Sequence, residues 1–184
     1  MDRDSASEAF YRRIWPHRAD VLRFARFLTR DPTLADDVAQ DSLLKAFKAV
    51  GGLQADSSVR PWLLKIVRNT WLDRVRSQAH KHETSLDDLA NEPAATDEAS
   101  GWSGQKEDLG QLLEAFTDAQ VIEALLDLPE EMRWTLLLVD VEGLSLAETA
   151  QVMAVPEGTV KSRCFRARGL LRTTLLPVAR ERSE

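Results

Sequence analysis

Apolar residues recur at helical spacing over two long parts of the chain. Before residue 80, steps of three to four positions give each predicted helix one apolar face. The pattern comprises Val21, Phe24, Ala25, Phe27 and Leu28, then Val38, Ser42, Leu43, Ala46 and Phe47, then Leu63, Ile66, Val67, Trp71 and Val75. These parts of the chain do not show the strict alternation of apolar and polar residues that is typical of a half-buried strand. We therefore predict an all-α fold.

The stretch between the two helical parts has a different composition. From His80 to Gly110 it mixes Ser, Ala, Gly and Pro with acidic residues and shows little apolar periodicity, as is typical of a linker. A length of 184 residues fits either one large domain or two small ones. The composition favours two helical domains, at residues 8–80 and 119–178, joined by a flexible acidic linker at 81–118.

The second helical part has clear start and stop signals. Pro129 and two acidic residues open a helix that Gly143 is predicted to end, with an apolar series of Trp134, Leu137, Leu138 and Val141. Ser145 and Glu148 have capping-box spacing, which predicts a short helix to about Met153. After Pro156 the periodicity resumes, with inward positions Val160, Cys164, Ala167, Leu170 and Leu171. This is the spacing of a helix-turn-helix.

The composition favours a globular protein without membrane-spanning segments or disulfide bonds within the chain. Hydrophobic residues make up 43% and charged residues 29%, which is ordinary for a globular protein. The N-terminus is charged, and no run of about 18 apolar residues occurs, so we expect a cytoplasmic protein without membrane insertion. Cys164 is the only cysteine; it excludes an intrachain disulfide and is expected to be a small buried helix residue.

Charge is distributed unevenly around a net value of −6. Residues 1–80 hold 14 Lys/Arg against 10 Asp/Glu, residues 81–127 hold 2 against 12, and residues 128–184 hold 8 against 8. Five basic residues face one acidic residue between Glu157 and Arg172. This local positive charge suits DNA binding by the second helix of the pair. Similar helix pairs occur in proteins that never touch DNA, and Phe165 could instead pack against a neighbouring helix.

The sequence offers no catalytic constellation. It contains no GxGxxG, P-loop or HExxH motif, and His17, His80 and His82 are too few and too badly spaced for a catalytic or metal site. We predict a protein that is not an enzyme and needs no cofactor.

Three motifs together resemble those of a known family. ADDVAQDSLLKAFKAV at 35–50, RPWLLKIVRNT at 60–70 and LPEEMRWTLLLVDVEGLSLAETAQVMAVPEGTVKSRCFRARGLLR at 128–172 are similar, in this order, to motifs of the extracytoplasmic-function sigma factors of the sigma-70 family. The resemblance implies a factor that binds core RNA polymerase and directs initiation at selected promoters in response to a stress or signal. It also implies an anti-sigma factor as inhibitor.

The resemblance assigns roles in the first domain. Asp37, Gln40 and Asp41 would dock on the clamp helices of the polymerase's largest subunit; taken alone, these residues fit solvated helix surface. For the chain as a whole, the resemblance also implies the polymerase flap as a contact. The segment Gly51 to Arg60 would carry a pocket for a base flipped from melting promoter DNA. The residues implied for melted DNA are Leu53, Arg60, Lys65, Arg68 and Asn69. Leu53 and Val59 stand where the family often has aromatic residues.

In the second domain the resemblance implies reading of duplex DNA upstream of the melted region. Ser162, Phe165 and Arg166 recur at helical spacing and would point together into the major groove. Lys161 joins this set, while Arg168 and Arg172 would lie toward the edge of the groove, beside the phosphates.

Two other functions stay open at this stage. A conventional helix-turn-helix regulator would use only the second domain, and a sigma mimic would bind an anti-sigma factor without starting transcription. Lys65, Arg68 and Asn69 together with the basic second helix favour an active initiator. The acidic linker would either occupy the nucleic-acid path of polymerase or act as a tether.

Overall fold

The computed structural model describes residues 3–54, 58–81 and 118–181. Every regular element in these ranges is helical, and the contacts divide the chain into two compact units. The prediction of an all-α fold with two helical domains is confirmed. The predicted linker lies outside the described residues except at its two ends. None of the described helices is long and apolar enough to cross a membrane.

The described part of the first unit, residues 3–54 and 58–81, contains four helices. They are α1 Arg3–Arg13, α2 Arg18–Thr29, α3 Pro32–Ala49 and α4 Val59–Lys81, with 3-10 turns at Trp15–His17 and Val50–Gly52. Helices α2, α3 and α4 all pack against one another, and α1 packs on α3 and on the turn that follows it. The start of α3 is fixed by Asp31, whose carboxylate accepts from the backbone N–H groups of Thr33 and Leu34 at 2.8 and 3.0 Å.

The core of the first unit follows the predicted apolar faces. The buried residues include Val21, Phe24, Ala25 and Leu28 of α2, Val38, Ser42 and Ala46 of α3, and Leu63, Leu64 and Val67 of α4. The Ser42 hydroxyl donates to the Val38 carbonyl one turn back, so this buried polar group is satisfied. The apolar faces leave the other sectors of α3 and α4 for charged side chains.

The described part of the second unit, within residues 118–181, also contains four helices. They are α5 Asp118–Leu126, α6 Glu130–Leu136, α7 Leu146–Met153 and α8 Glu157–Glu181, and α6 continues directly into a π-helical turn at Leu137–Val141. Helices α5 and α6 both pack on α8. One cluster of its core contains Ala124, Leu128, Met132, Leu136, Ala167, Leu171 and Leu175.

The predicted helix-turn-helix signals are confirmed. The Ser145 hydroxyl accepts from the Glu148 N–H at 3.2 Å, and the Glu148 carboxylate accepts from the Ser145 N–H at 2.9 Å. Gly143 has a φ of +67°, the left-handed conformation that glycine adopts readily after a helix. Cys164 is buried, as expected. Helices α7 and α8 form the predicted pair.

Two apolar positions differ from the prediction. Val141 is 55% exposed, because the π-helical turn, in which the Glu142 N–H donates to the Leu137 carbonyl at 2.9 Å, inserts an extra residue and shifts the helical register. Leu170 is 46% exposed. The buried stripe of α8 runs instead through Val160, Cys164, Ala167, Leu171 and Leu175.

Candidate functional site

The acidic face of α3 is tied to α4 by an arginine. The guanidinium of Arg74 lies 2.5 Å from the Asp41 carboxylate and 3.6 Å from that of Asp37. The hydrogen bond that Arg74 donates to Asp41, together with the negative charge of that carboxylate, raises the pKa of Arg74, although partial burial opposes this. Asp37 and Asp41, both predicted to meet polymerase, therefore lie on the edge of α3 that borders α4.

Gln40 occupies a different face of the same helix. It lines a groove of about 630 Å³ between α2 and α3, together with Asp36 and the apolar side chains of Trp15, Leu22 and Leu43. Trp15 is 41% exposed, and the Arg18 guanidinium lies 5.3 Å from the centre of its ring. The three residues predicted to dock on polymerase are therefore divided, with Gln40 at an apolar groove and the two aspartates at an ion pair.

The segment before α4 is attached to α1. Arg13 donates from Nη1 to the Leu53 carbonyl at 3.0 Å and from Nη2 to the Gln54 carbonyl at 2.6 Å. Leu53 is half-buried, and its N–H donates to the Val50 carbonyl at 3.2 Å. Arg13 belongs to none of the motifs in the sequence. Residues 55–57 of the predicted base pocket lie outside the described residues.

Arg60, predicted to contact melted DNA, is held by α2. Its Nε lies 3.2 Å from the Asp20 carboxylate, which also accepts from Arg23 at 2.7 Å and lies 3.3 Å from His17 Nδ1. Burial pushes the pKa of Asp20 upward, but the hydrogen bonds from His17 and Arg23 and the charge of Arg60 outweigh it, so the pKa is lowered. Arg60 thus joins the start of α4 to α2, an interaction that spans 40 residues.

The other residues predicted to bind melted DNA lie on α4. Lys65 and Asn69 are exposed one turn apart and so share one face, and Arg68 beside them is half-buried. The apolar residues Leu63, Leu64 and Val67 hold the opposite side of the helix in the core. An exposed cation and an exposed amide are therefore presented on a rigid helix. This arrangement suits a nucleotide, whose backbone is anionic and whose base edges carry donors and acceptors.

Helix α8 presents a mixed polar face. Arg166 and Arg172 are exposed, while Lys161, Ser162 and Phe165 are half-buried. The Ser162 hydroxyl donates to the Thr159 carbonyl at 3.0 Å. Phe165 is therefore neither a core residue nor a fully exposed one.

Arg168 was predicted to lie at the edge of the DNA groove, and this prediction is wrong. The residue is only 2% exposed, and its Nε and Nη2 donate to the two carboxylate oxygens of Asp140 at 3.1 and 2.7 Å. It lies one turn after the buried Cys164, and residues four apart lie on the same face of a helix, so Arg168 faces the core. The fork of hydrogen bonds joins α8 to the π-helical turn after α6.

Arg163 is likewise used inside the second unit. Its side chain is buried, and Nη1 donates to the Glu131 carboxylate at 2.8 Å, which joins α8 to the start of α6. Two of the five basic residues between Glu157 and Arg172 are thus balanced by acids of α6 and the π-helical turn. The positive field expected from the sequence is correspondingly weaker, and it rests on Lys161, Arg166 and Arg172.

The match with known families covers both helical units. The family described as sigma-70 region 2 matches residues 14–81, and the family described as sigma-70, region 4 matches residues 118–171. The first match spans α2 to α4 together with the 3-10 turn before α2, and the second spans α5 to most of α8. The residues predicted to bind polymerase and DNA all lie within the matched residues except Arg172, which follows the second match directly.

Curated relatives with similar sequences are RNA polymerase sigma factors, and the similarity covers most of their length. The ECF RNA polymerase sigma factor SigM of Mycobacterium tuberculosis is 38% identical over 156 residues, which cover 84% of this chain and 71% of SigM. The RNA polymerase sigma-H factor of Pseudomonas aeruginosa is 34% identical over 162 residues, 88% of this chain and 81% of the relative.

Solved structures agree with this assignment. The sigma factor RpoE in complex with the anti-sigma factor NepR from Bartonella quintana has a TM-score of 0.68 at 25% identity, covering 90% of this chain and 96% of RpoE. CnrH, solved in complex with the cytosolic domain of CnrY, has the same fold with a TM-score of 0.61 at 24% identity, covering 95% of this chain and 96% of CnrH. The chain is a member of the sigma-70 family and belongs to its extracytoplasmic-function group of RNA polymerase sigma factors.

Proposed function

We propose that the two units divide the work of promoter-specific initiation. The unit assigned to residues 8–80 binds core polymerase and holds melted promoter DNA, and the unit assigned to 119–178 reads duplex DNA upstream. The observation that carries this division is the presence of an exposed cation in each unit, Lys65 beside Asn69 on α4 and Arg166 on α8. The linker at 81–118 limits how far apart the two faces can reach.

Run-off transcription with core polymerase on a promoter library tests this function. An initiator yields transcripts from a discrete set of promoters only when the chain is added to core polymerase. A conventional regulator changes transcription only when another sigma factor is present, and a sigma mimic yields no transcripts of its own. Absence of any chain-dependent start site would contradict the proposal.

The chemistry of RNA synthesis belongs to the polymerase in this proposal. The chain contributes binding energy to polymerase and DNA, needs no cofactor and works in the cytoplasm beside polymerase. An anti-sigma factor is proposed as its inhibitor. The solved complex of RpoE with NepR supports that partner, because the two folds correspond over nearly the whole of both chains.

Docking on the clamp helices of the polymerase's largest subunit is proposed for the α2–α3 groove and the acidic edge beside it. Gln40 offers an amide at the groove, and Leu22, Leu43 and Trp15 offer apolar contact. Asp37 and Asp41 add negative charge on the neighbouring edge, where Arg74 fixes their positions. A polar and apolar surface of this kind suits a cationic, amphipathic helix.

Replacing Gln40 with Ala is expected to weaken binding to core polymerase about two- to tenfold, because it removes an amide at the groove whose hydrogen bonds are replaced only by water. Thr33→Ala, an exposed change in the first turn of the same helix, is the control and should leave the affinity unchanged. Competition between sigma variants for labelled core polymerase measures both. An equal affinity for Gln40→Ala and the unaltered chain would count against the docking surface.

Capture of an unstacked base is proposed for the surface formed by Leu53, Lys65, Arg68 and Asn69. The exposed amide of Asn69 can both donate to and accept from one base edge, and Lys65 can neutralise a phosphate on the same strand. Arg60 is proposed to help from the start of α4, where Asp20 fixes it.

Asn69→Ala is expected to reduce promoter opening about three- to tenfold while leaving duplex binding by the holoenzyme unchanged, since the base edge is reached only after melting. Gln78→Ala, the same loss of an exposed amide further along α4, should affect neither step. Opening can be followed with a fluorescent base analogue in the melted region. If opening and duplex binding fall by the same factor, Asn69 does not read a melted base.

A further inference from the structure

A single arginine links the end of α1 to the Leu53 side of the proposed base-capture surface. Arg13 is the last residue of α1, and its guanidinium reaches 40 and 41 residues along the chain to the carbonyls of Leu53 and Gln54. Two nitrogens of one planar group bind two successive peptide carbonyls, so the orientation of both peptide groups is fixed together.

Among the described residues, one backbone hydrogen bond also holds this position. The Leu53 N–H donates to the Val50 carbonyl, which closes the 3-10 turn Val50–Gly52. After this turn the chain leaves helical geometry, and Leu53 has an extended backbone with φ −79° and ψ 115°. An extended stretch without helical hydrogen bonds depends on side chains from elsewhere for its position. Arg13 supplies two such bonds.

The start of α4 is attached to α2 by a contact between two side chains. Arg60, at the start of α4, is joined to Asp20 of α2, as described above. Charged groups of α1 and α2 thus bind the backbone at Leu53 and the side chain of Arg60, and these two helices carry none of the residues proposed to touch DNA. The position of Leu53 is set from outside that surface.

We propose that Arg13 is a positioning residue for base selection: by binding the Leu53 and Gln54 carbonyls, it holds Leu53 where the unstacked base is captured. The inference rests on the proposed base capture. Arg13 itself touches no base, and its loss lets Leu53 shift relative to Lys65 and Asn69 on α4. The shift lowers the discrimination between bases more than it lowers affinity for the strand, because phosphate contacts are insensitive to base identity.

The test uses holoenzyme and four fluorescent single-stranded oligonucleotides that differ only in the base at the captured position. The readout is the ratio of affinities for the best and the worst base. Arg13→Ala should lower this ratio about three- to tenfold, as expected when hydrogen bonds that orient a recognition group are lost. Arg13→Lys should lower it too, because an ammonium group cannot bind two carbonyls as a planar fork does.

Arg12→Ala is the matched control, since it removes the same charge from the neighbouring, exposed position of α1. It should leave the ratio unchanged. Binding to core polymerase should be the same for all variants, which separates base selection from general unfolding; Arg13→Lys, which keeps the charge and the aliphatic stem, serves if Arg13→Ala does not fold.

Three results would overturn the inference. An unchanged ratio in Arg13→Lys and Arg13→Ala removes the positioning role and leaves base capture intact. An equal fall in Arg12→Ala assigns the effect to net charge. If the unaltered chain binds all four oligonucleotides with the same affinity, base capture itself is overturned, and the positioning role with it.

Discussion

Asp140→Ala is expected to destabilise the second unit by about 3–5 kcal/mol, the cost of removing one partner from a buried ion pair. The change takes away the carboxylate that binds two nitrogens of Arg168, a residue that is only 2% exposed. Asp127→Ala removes an exposed acid from the same unit and should change stability by less than about 0.5 kcal/mol. Urea denaturation, with hydrogen exchange of α6 and α8 peptides to locate the effect, measures both.

A double replacement separates the effect of the two charges on stability from the effect of the volume that the two side chains fill. Asp140→Leu combined with Arg168→Met replaces both charges with apolar side chains and should recover most of the lost stability, because two desolvated charges are removed together. Recovery of stability without recovery of DNA binding would show that the pair also sets the rotation of α8. A loss below about 1 kcal/mol in Asp140→Ala would contradict the structural role of the pair.

Arg166→Ala is expected to cost about 1–3 kcal/mol in binding to the preferred upstream DNA and to relax the preference at one or two base pairs. Arg166 is exposed on α8, whereas Arg163 and Arg168 are buried in ion pairs with acids of the same unit. With those two arginines engaged, Arg166 is the leading candidate for a direct base contact. The affinities are measured on preferred and scrambled upstream duplexes.

Arg172→Ala provides the contrast to Arg166→Ala. It should weaken binding to all sequences alike and reduce the slope of log affinity against log salt by roughly one, as expected for a phosphate contact. Measurements at several salt concentrations separate the two effects. If Arg166→Ala leaves the sequence preference untouched, Arg166 is a phosphate contact, and another residue of the α8 face, such as Ser162 or Phe165, must read the bases.

Local signals in the sequence predicted most of the fold. Apolar periodicity gave the core positions of α2 and α3, and the spacing of Ser145 and Glu148 gave the start of α7, because both depend on neighbours within a few residues. The predictions that Leu170 and Val141 are buried were wrong, because apolar spacing alone does not fix the exact helical register. The apolar spacing does not reveal a π-helical turn, and adjacent leucines at 170 and 171 cannot both occupy one narrow stripe.

The arrangement of the charged residues could not be predicted in the same way. Arg13, Arg60, Arg74 and Arg168 each bind a group that is at least 28 residues distant in the sequence, so their partners depend on how the helices pack. A signal for Arg168 did exist, because it lies one turn after the buried Cys164. The assignments of Lys65, Asn69, Lys161 and Ser162 to DNA stay predictions.

The π-helical turn at Leu137–Val141 also limits which insertions and deletions this lineage can accept. A π-helical turn holds one residue more than an α-helical turn, and Asp140 lies within it. Deletion of a single residue between 137 and 139 would restore α-helical geometry and carry the acid out of the register that places it against Arg168. Homologues with the shorter helix should therefore have lost the acid and the arginine together, or carry the acid one position later in compensation.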